Sequence, residues 1–465
     1  MNVYFLGIGG AGMSALASVL ASEGHRVTGS DGAIYPPVST YLQRQGIAYH
    51  SGYGAQMMPA QIDVAIVGSS TTLELSVNPE LAELIRRGTP RYGFAEYLGV
   101  HTERRENLVI AGSFGKSTLT AMCAAFLREA GRDPGYFIGA IPLDLDSTGR
   151  WGSDRQFLIE GDEYIISPQD RRSKFELYHP SHVLISSLVH DHLNAFPTYE
   201  SYEAPFGRLI ALTPPEGLLV CAHQYEALRR LTSGREVVWY GLEPCLGYFA
   251  EAIEIGEITR FQLCTPHGER IPLETGLLGL HSIENLVGAS ALLLERGLIE
   301  PAALARGVSG FRGVARRLDK KTAVSRVPAY EGFGSSYEKA RSAIEAIRLH
   351  FPDRPLVVVF EPHTFSWRNR EGLGWYDSVF QGVSKVLLLP PPAHGAATHE
   401  QLSQAEIAAR IHRAGVPTAA VADRDAVLKA LESDLKGNEV LLLLSSGPLA
   451  GLADALPPVL DARFG

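Results

Sequence analysis

Asn107–Leu108–Val109–Ile110–Ala111–Gly112–Ser113–Phe114–Gly115–Lys116–Ser117–Thr118 is the stretch that decides how the rest of this chain is read. Asn107–Ala111 is a short apolar run of strand type, and Leu119–Ala130 carries a helical pattern. Between them a glycine-rich turn closes on Lys-Ser-Thr. Strand, glycine turn, Lys-Ser-Thr and helix in that order make a phosphate-binding loop. Glycine lets backbone N–H groups face phosphate oxygens, and the helix N-terminus adds a positive dipole. Lys116 can reach the β- and γ-phosphates, and the Ser117 hydroxyl can ligate Mg²⁺. Gly112, Ser113, Gly115, Lys116, Ser117 and Thr118 are therefore the residues expected to hold ATP. Ile110 occupies the position of the usual first glycine, so the flanking strand and helix carry the assignment.

Mg²⁺ accompanying ATP needs oxygen ligands. Phe157–Leu158–Ile159–Glu160 predicts a strand ending on a carboxylate, with Asp162 and Glu163 just beyond. Ligands bind beyond the carboxyl ends of strands in open α/β sheets, so Glu160 is the first candidate, with Asp162 and Glu163 as alternatives. His190–Asp191–His192 follows another predicted strand, Val183–Ser186, and forms a second polar cluster.

Upstream, Val3–Leu6, a helix from Met13 to about Glu23, Arg26–Ser30 and Val64–Gly68 predict the start of a βαβ sheet. Gly7–Ile8–Gly9–Gly10–Ala11–Gly12 fits G-x-G-x-x-G after a strand, and Asp31 follows about 20 residues later. Alone, that pattern suggests a nicotinamide-dependent dehydrogenase. It also suits the pyrophosphate of another nucleotide, such as a UDP-sugar. Downstream, Leu218–Cys221 and Val237–Tyr240 predict strands, and Gly279–Leu280–His281–Ser282 leads into a long apolar helix ending near Gly297. After Gly313–Val314–Ala315–Arg316–Arg317 come strands Leu356–Phe360, Lys385–Leu389 and Val440–Ser445, with helices Glu338–His350 and Ala405–Arg413. Pro390–Pro392 reads as a loop. The expected architecture is three α/β domains. They are a Rossmann-like N-terminal domain at 1–105, a central P-loop ATPase-like domain at 106–312, and a Rossmann-like C-terminal domain at 313–465.

Bulk properties agree with this. The 465 residues carry a net charge of -9 and 45% hydrophobic residues, typical of a soluble globular protein. That charge supplies no drive toward nucleic acid or an anionic membrane. Cys123, Cys221, Cys245 and Cys264 are widely spaced, which predicts reduced thiols. No apolar run is long enough to span a bilayer and the N-terminus lacks a signal-peptide pattern, so a cytoplasmic location is expected.

Taken in order, these motifs resemble the Mur ligases of peptidoglycan synthesis and recycling over nearly the whole chain. Gly7–Ile8–Gly9–Gly10–Ala11–Gly12–Met13–Ser14 is similar to the family's UDP-binding loop. The segments Gly29–Ser30–Asp31, Ile34–Tyr35–Pro36–Pro37–Val38–Ser39–Thr40, Glu160–Gly161–Asp162–Glu163–Tyr164 and Arg171–Arg172–Ser173–Lys174–Phe175 resemble its murein peptide ligases, and Asn78–Pro79–Glu80 adds to this. The resemblance implies an ATP- and Mg²⁺-dependent ligase. It would join UDP-N-acetylmuramate to a peptide, L-alanyl-γ-D-glutamyl-meso-diaminopimelate, through an acyl phosphate. It implies that Gly7, Gly9, Gly10, Gly12, Ser14 and Asp31 bind the UDP-sugar. Lys116 and Ser117 bind phosphates and the first Mg²⁺, with Glu160 as a further metal ligand. His192 matches a second-metal histidine and Asn285 an adenine contact. Arg316 and Arg317 match arginines that approach the ATP phosphates.

Departures from the family pattern are concentrated at two places. Phe114 stands where the loop usually has histidine, and Ser282 where a later motif has asparagine. The C-terminal run D-D-[YF]-A-H-H-P is replaced by Glu331–Gly332–Phe333–Gly334–Ser335–Ser336–Tyr337, whereas Glu361–Pro362–His363–Thr364–Phe365–Ser366 keeps its strand-end motif. A changed amino substrate or a binding protein without turnover is the alternative these departures raise. Ligation of L-alanine is the nearest enzymatic one.

Overall fold

Three β-sheets organise the chain, each built from short apolar strands joined mainly by helical crossovers. The computed structural model describes residues 1–34, 38–69, 76–167, 170–392 and 400–465. Tyr35, Pro36 and Pro37 of the peptide-ligase-like segment lie outside the described residues. The chain divides into two compact units. The first is Met1–Ile253 with Arg260–Thr275 and Ile283–Phe311; the second is Glu254–Thr259 with Gly276–Ser282 and Arg312–Gly465.

The first unit holds two sheets. The N-terminal one is five-stranded and parallel, in the order Ala48–Ser51, Arg26–Asp31, Asn2–Leu6, Val64–Val67, Arg91–Gly93. The other has ten strands. At its centre Glu106–Ala111, buried along its whole length, lies between Gln156–Glu160 and His182–Ile185, all three parallel. Helix Ala11–Ser22 is buried over eight consecutive residues, Met13 to Leu20. That is more than one face of a helix, because the apolar core continues from the first sheet through this helix into the second. Gly247–Glu254, Thr259–Cys264 and Arg270–Thr275 add strands that the sequence analysis does not name.

A buried carboxylate ties the N-terminal sheet together. Helix Pro79–Arg86 starts on Asn78, whose side chain accepts from the Glu80 and Leu81 amides at 3.0 Å each, with proline at the first helical position. This aims Glu80, fully buried, under the sheet. Glu80 Oε2 accepts from Tyr4 Oη at 2.8 Å and from Ser30 Oγ at 2.5 Å. Its Oε1 accepts from the Gly54 amide at 2.8 Å and faces His50 Nε2 at 2.9 Å. Burial pushes the Tyr4 hydroxyl well above its ordinary pKa, which keeps it a donor.

The second unit is a six-stranded sheet in the order Arg317–Lys320, Ala329–Gly332, Val440–Leu444, Leu356–Phe360, Lys385–Leu388, Thr418–Ala420. Its first pair is antiparallel and the rest are parallel. The strands named from sequence are present to within one or two residues at their ends. No helix among the described residues is long and apolar enough to cross a membrane.

Glu80→Gln keeps the volume but replaces one acceptor oxygen by a donor, which would face the Gly54 N–H in one orientation and in the other would force the Tyr4 and Ser30 hydroxyls to turn into acceptors. It is expected to lower stability by about 1–3 kcal/mol, read as a shift in urea midpoint at unchanged slope. An unshifted midpoint would show that these bonds contribute nothing net.

Candidate functional site

The glycine turn at the end of Glu106–Ala111 is tighter than a sequence reading suggests. Gly115 adopts φ 84°, and the helix begins at once, at Lys116 rather than Leu119. A side chain at Gly115 would meet Asn285 Oδ1 at 2.8 Å, so the loop and helix Leu280–Glu295 approach through a gap that glycine leaves. Asn285 is thereby placed beside the loop. Ser186 and Ser187, beyond strand His182–Ile185, brace the same turn. Ser187 Oγ accepts from the Phe114 amide at 2.8 Å, and Ser186 Oγ donates to the Phe114 carbonyl. The Phe114 ring itself is exposed.

Lys116, Ser117, Glu160 and His192 come together around this turn. Ser117 Oγ donates to Glu160 Oε1 at 2.7 Å, and the Gly139 amide donates to Glu160 Oε2 at 2.6 Å. Lys116 Nζ donates to the Gly112 carbonyl at 2.7 Å and pairs with Glu163 Oε2 at 2.8 Å. Glu163 is 1% exposed, and its Oε1 lies 3.3 Å from His192 Nε2. Tyr202 Oη donates to Ser113 Oγ at 2.9 Å and reaches Glu163 Oε1 at 3.4 Å. Asp162, the other alternative ligand, pairs with Lys174 at 2.7 Å. Glu163 is thus the hub joining lysine, histidine and tyrosine. The acidic run 160–163 signalled it, whereas nothing in the sequence signalled Tyr202.

A hydroxyl and a carboxylate 2.7 Å apart at a phosphate loop are the hard oxygen donors that Mg²⁺ takes together with phosphate and water. The donor set therefore fits the ion. His192 sits differently. Its backbone is in the left-handed region at φ 55°, and hydrogen bonding to Glu163 holds its pKa above the ordinary histidine value. Its Nε2 is turned to Glu163 and not toward the hydrogen bond between Ser117 and Glu160.

The first glycine loop is braced by its acidic residue. Asp31 Oδ2 accepts from the Gly9 amide at 2.8 Å, and Oδ1 accepts from Gly32 N at 2.7 Å and Tyr53 Oη at 3.0 Å. A side chain on Gly9 would lie 2.8 Å from that same carboxylate oxygen. Gly7 opens the turn at φ 91°, and Gly10 caps helix Ala11–Ser22, which contains Gly12. Ser14, buried in that helix, donates to the Ala11 carbonyl at 3.1 Å. The Ser14 hydroxyl is turned into the helix and both Asp31 oxygens are engaged.

Arg316 and Arg317 belong to the second unit. Arg316 has φ 65°, and its guanidinium donates to the carbonyls of Ser445 at 3.1 Å and Gly447 at 2.6 Å. It also pairs with Glu331 at 3.2 Å and lies 5.2 Å over the Phe333 ring. Arg317 opens the edge strand and is exposed. Ser336 caps helix Tyr337–His350, and Glu361 accepts from Ser445 Oγ at 2.7 Å and Leu449 N at 3.1 Å.

His192 is expected to titrate above about pH 6.5, the ordinary histidine value, with the midpoint falling in Glu163→Gln. Proton NMR of its ring reads both. Because the folded value is raised, the pair's stabilisation is full below the unfolded value and is lost as pH rises through the folded one. Its size is tenths of a kcal/mol at most, since the ring is 36% exposed. A midpoint unmoved in the variant would break the link to Glu163.

Comparison with known proteins adds to this geometry. Residues 2–106 match the Mur ligase family catalytic domain and residues 110–293 the Mur ligase middle domain. The UDP-N-acetylmuramate–L-alanine ligase of Lawsonia intracellularis is 30% identical over 458 residues, covering 96% of each chain. The structure of UDP-N-acetylmuramate–alanine ligase from Thermotoga maritima superposes with a TM-score of 0.79 at 21% identity, covering 99% of both chains. A murein peptide ligase structure from Neisseria meningitides has a TM-score of 0.60 at 27% identity, covering 68% of this chain and 99% of that one. Family members are ATP-dependent amide ligases of cell-wall synthesis, typically with Mg²⁺. With this three-domain α/β fold and this phosphate loop, the chain belongs to the Mur ligase family.

Proposed function

We propose that this protein is a cytoplasmic ligase that uses ATP to form an amide at the carboxyl group of UDP-N-acetylmuramate. The amino substrate would be the peptide L-alanyl-γ-D-glutamyl-meso-diaminopimelate. The observation that carries the reading is the convergence of Lys116, Ser117 and Glu160 on one glycine turn at the carboxyl end of an interior strand. In this reading residues 1–105 hold the UDP-sugar, 106–312 hold ATP, and 313–465 serve the amino substrate.

A free carboxylate is a poor electrophile, so it is first phosphorylated. The muramyl carboxylate attacks the γ-phosphate, ADP leaves, and the amine then attacks the acyl carbonyl and expels phosphate. Lys116 would exchange Glu163 for phosphate oxygens and offset charge developing in the transfer. Ser117 and Glu160 would hold Mg²⁺, which would supply positive charge to offset that of the phosphates. His192 would ligate a second ion by exchanging its contact with Glu163 for the metal. Gly7, Gly9, Gly10 and Gly12 offer the turn and helix start for the UDP pyrophosphate. Asp31 would act by fixing Gly9, Asn285 would flank the nucleotide, and Arg316 and Arg317 would approach the phosphates from the C-terminal domain.

L-Alanine is the second reading for the amino substrate, favoured by the 30% identity to an alanine ligase over 96% of both chains. Phosphate release with ATP and UDP-N-acetylmuramate, driven in turn by the tripeptide and by L-alanine, separates the two. The tripeptide is expected to give the higher kcat/KM, and the reverse order would establish the second reading. Lys116→Ala is expected to cut turnover by at least about a hundredfold while UDP-sugar affinity stays nearly unchanged. Survival of turnover would remove the phosphate-loop assignment.

A further inference from the structure

One cluster of ligand-type side chains lies apart from the site above. Glu23 and His25 occupy the turn between helix Ala11–Ser22 and strand Arg26–Asp31, and His101 is in the last turn of helix Phe94–Thr102. Glu23 Oε2 stands 2.7 Å from His101 Nε2 and 3.2 Å from His25 Nε2. The three ligand atoms lie within 4.8 Å of one another, and among the described residues no other group of His, Cys, Asp and Glu does so. The side chains are mostly buried, at 25%, 17% and 15% exposure for Glu23, His25 and His101.

We propose that Glu23, His25 and His101 form a binding site for a transition-metal dication of the zinc class. Two imidazoles and a carboxylate suit a borderline-soft ion and not Mg²⁺. In a tetrahedral zinc site with bonds near 2.0–2.1 Å, donor atoms stand about 3.3 Å apart. The His25–Glu23 pair is already at 3.2 Å, and the His101–Glu23 pair has to open from 2.7 Å by roughly half an ångström. Three protein ligands leave a fourth position for water. The His101 ring is held in orientation by Tyr97, stacked at 5.5 Å between centroids, and by Trp151 at 4.6 Å. Packing of this kind presets a ligand.

Two positive groups face the cluster. The chain's amino terminus lies 3.5 Å from His25 Nδ1, the ring nitrogen turned away from Glu23. Arg105 is engaged 4.4 Å over the Trp151 ring and with the Trp151 and Asp154 carbonyls. Neither occupies the space between the three ligand atoms. A bound ion would fasten the far end of helix Ala11–Ser22, whose start is the first glycine loop, to helix Phe94–Thr102.

The test is calorimetric titration of the full, tag-free chain with zinc chloride in excess Mg²⁺, which saturates the oxygen site. One equivalent of micromolar affinity is expected, weakened by at least about tenfold in His25→Ala and in His101→Ala. Absence of binding, or undiminished affinity in both variants, overturns the proposal. Should a variant fail to fold, cobalt(II) on the wild-type chain decides. Ligand-field bands in the visible, together with paramagnetic shifts of both histidine rings, are expected, and their absence is equally fatal.

Discussion

The shared register of three neighbouring parallel strands is the constraint on which the site depends. Ile110 is paired with Glu160 on one side, and Ala111 with Ile185 on the other. The glycine turn, the Glu160 carboxylate and the Ser186–His192 segment therefore emerge at one edge of the sheet. A slip of one residue in Gln156–Glu160 would turn Glu160 to the opposite face and separate it from Ser117. Such a slip would also misfit every side chain of Gln156–Glu160, which are close-packed on both faces of the sheet. The chain places one crossover on each side of the central strand, so the turn faces the crevice where ligands bind in open α/β sheets.

Charge inside that crevice is arranged around Glu163. A carboxylate this buried is costly unless paired, and Lys116 at 2.8 Å, His192 at 3.3 Å and the Tyr202 hydroxyl all face it. The same pairing bends Lys116 back over its own loop, onto the Gly112 carbonyl. Any other anion reaching Lys116 would compete with Glu163 for it, while His192 and the Tyr202 hydroxyl stay beside the carboxylate.

Much of this was legible before any coordinates, for reasons that differ by element. Leu356–Phe360 and Val440–Leu444 are continuous apolar runs buried on both faces, so their strands stand out. Lys116 and Ser117 are marked by the strand before them and the helix after. Arg270–Thr275 alternates exposed and buried residues but contains Pro272 and two charged residues, and it passed unnoticed as an edge strand. Asp31 is at the spacing of a ribose-binding acid, yet its oxygens hold Gly9, Gly32 and Tyr53. Spacing gives position along the chain; it does not say what a side chain already holds. Glu163 is visible in sequence as one of three nearby acids, but its partners are set by where Lys116, His192 and Tyr202 meet.

The C-terminal run Glu331–Tyr337 is held by contacts within its own unit. Glu331 ends strand Ala329–Gly332 buried, where Arg316 at 3.2 Å and Lys321 at 2.9 Å neutralise it. Phe333 lies under Arg316, with Lys339 5.9 Å from its ring, so an aromatic face and two cations occupy the segment after the strand. Ser336 caps the following helix, and the Ser335 carbonyl accepts from Thr364 at 3.0 Å. None of these groups presents an imidazole, and Ser336 is engaged with backbone. The segment after the strand is thus held by ion pairs to Glu331, by two cations beside the Phe333 ring and by a helix cap, each made by residues within the same unit.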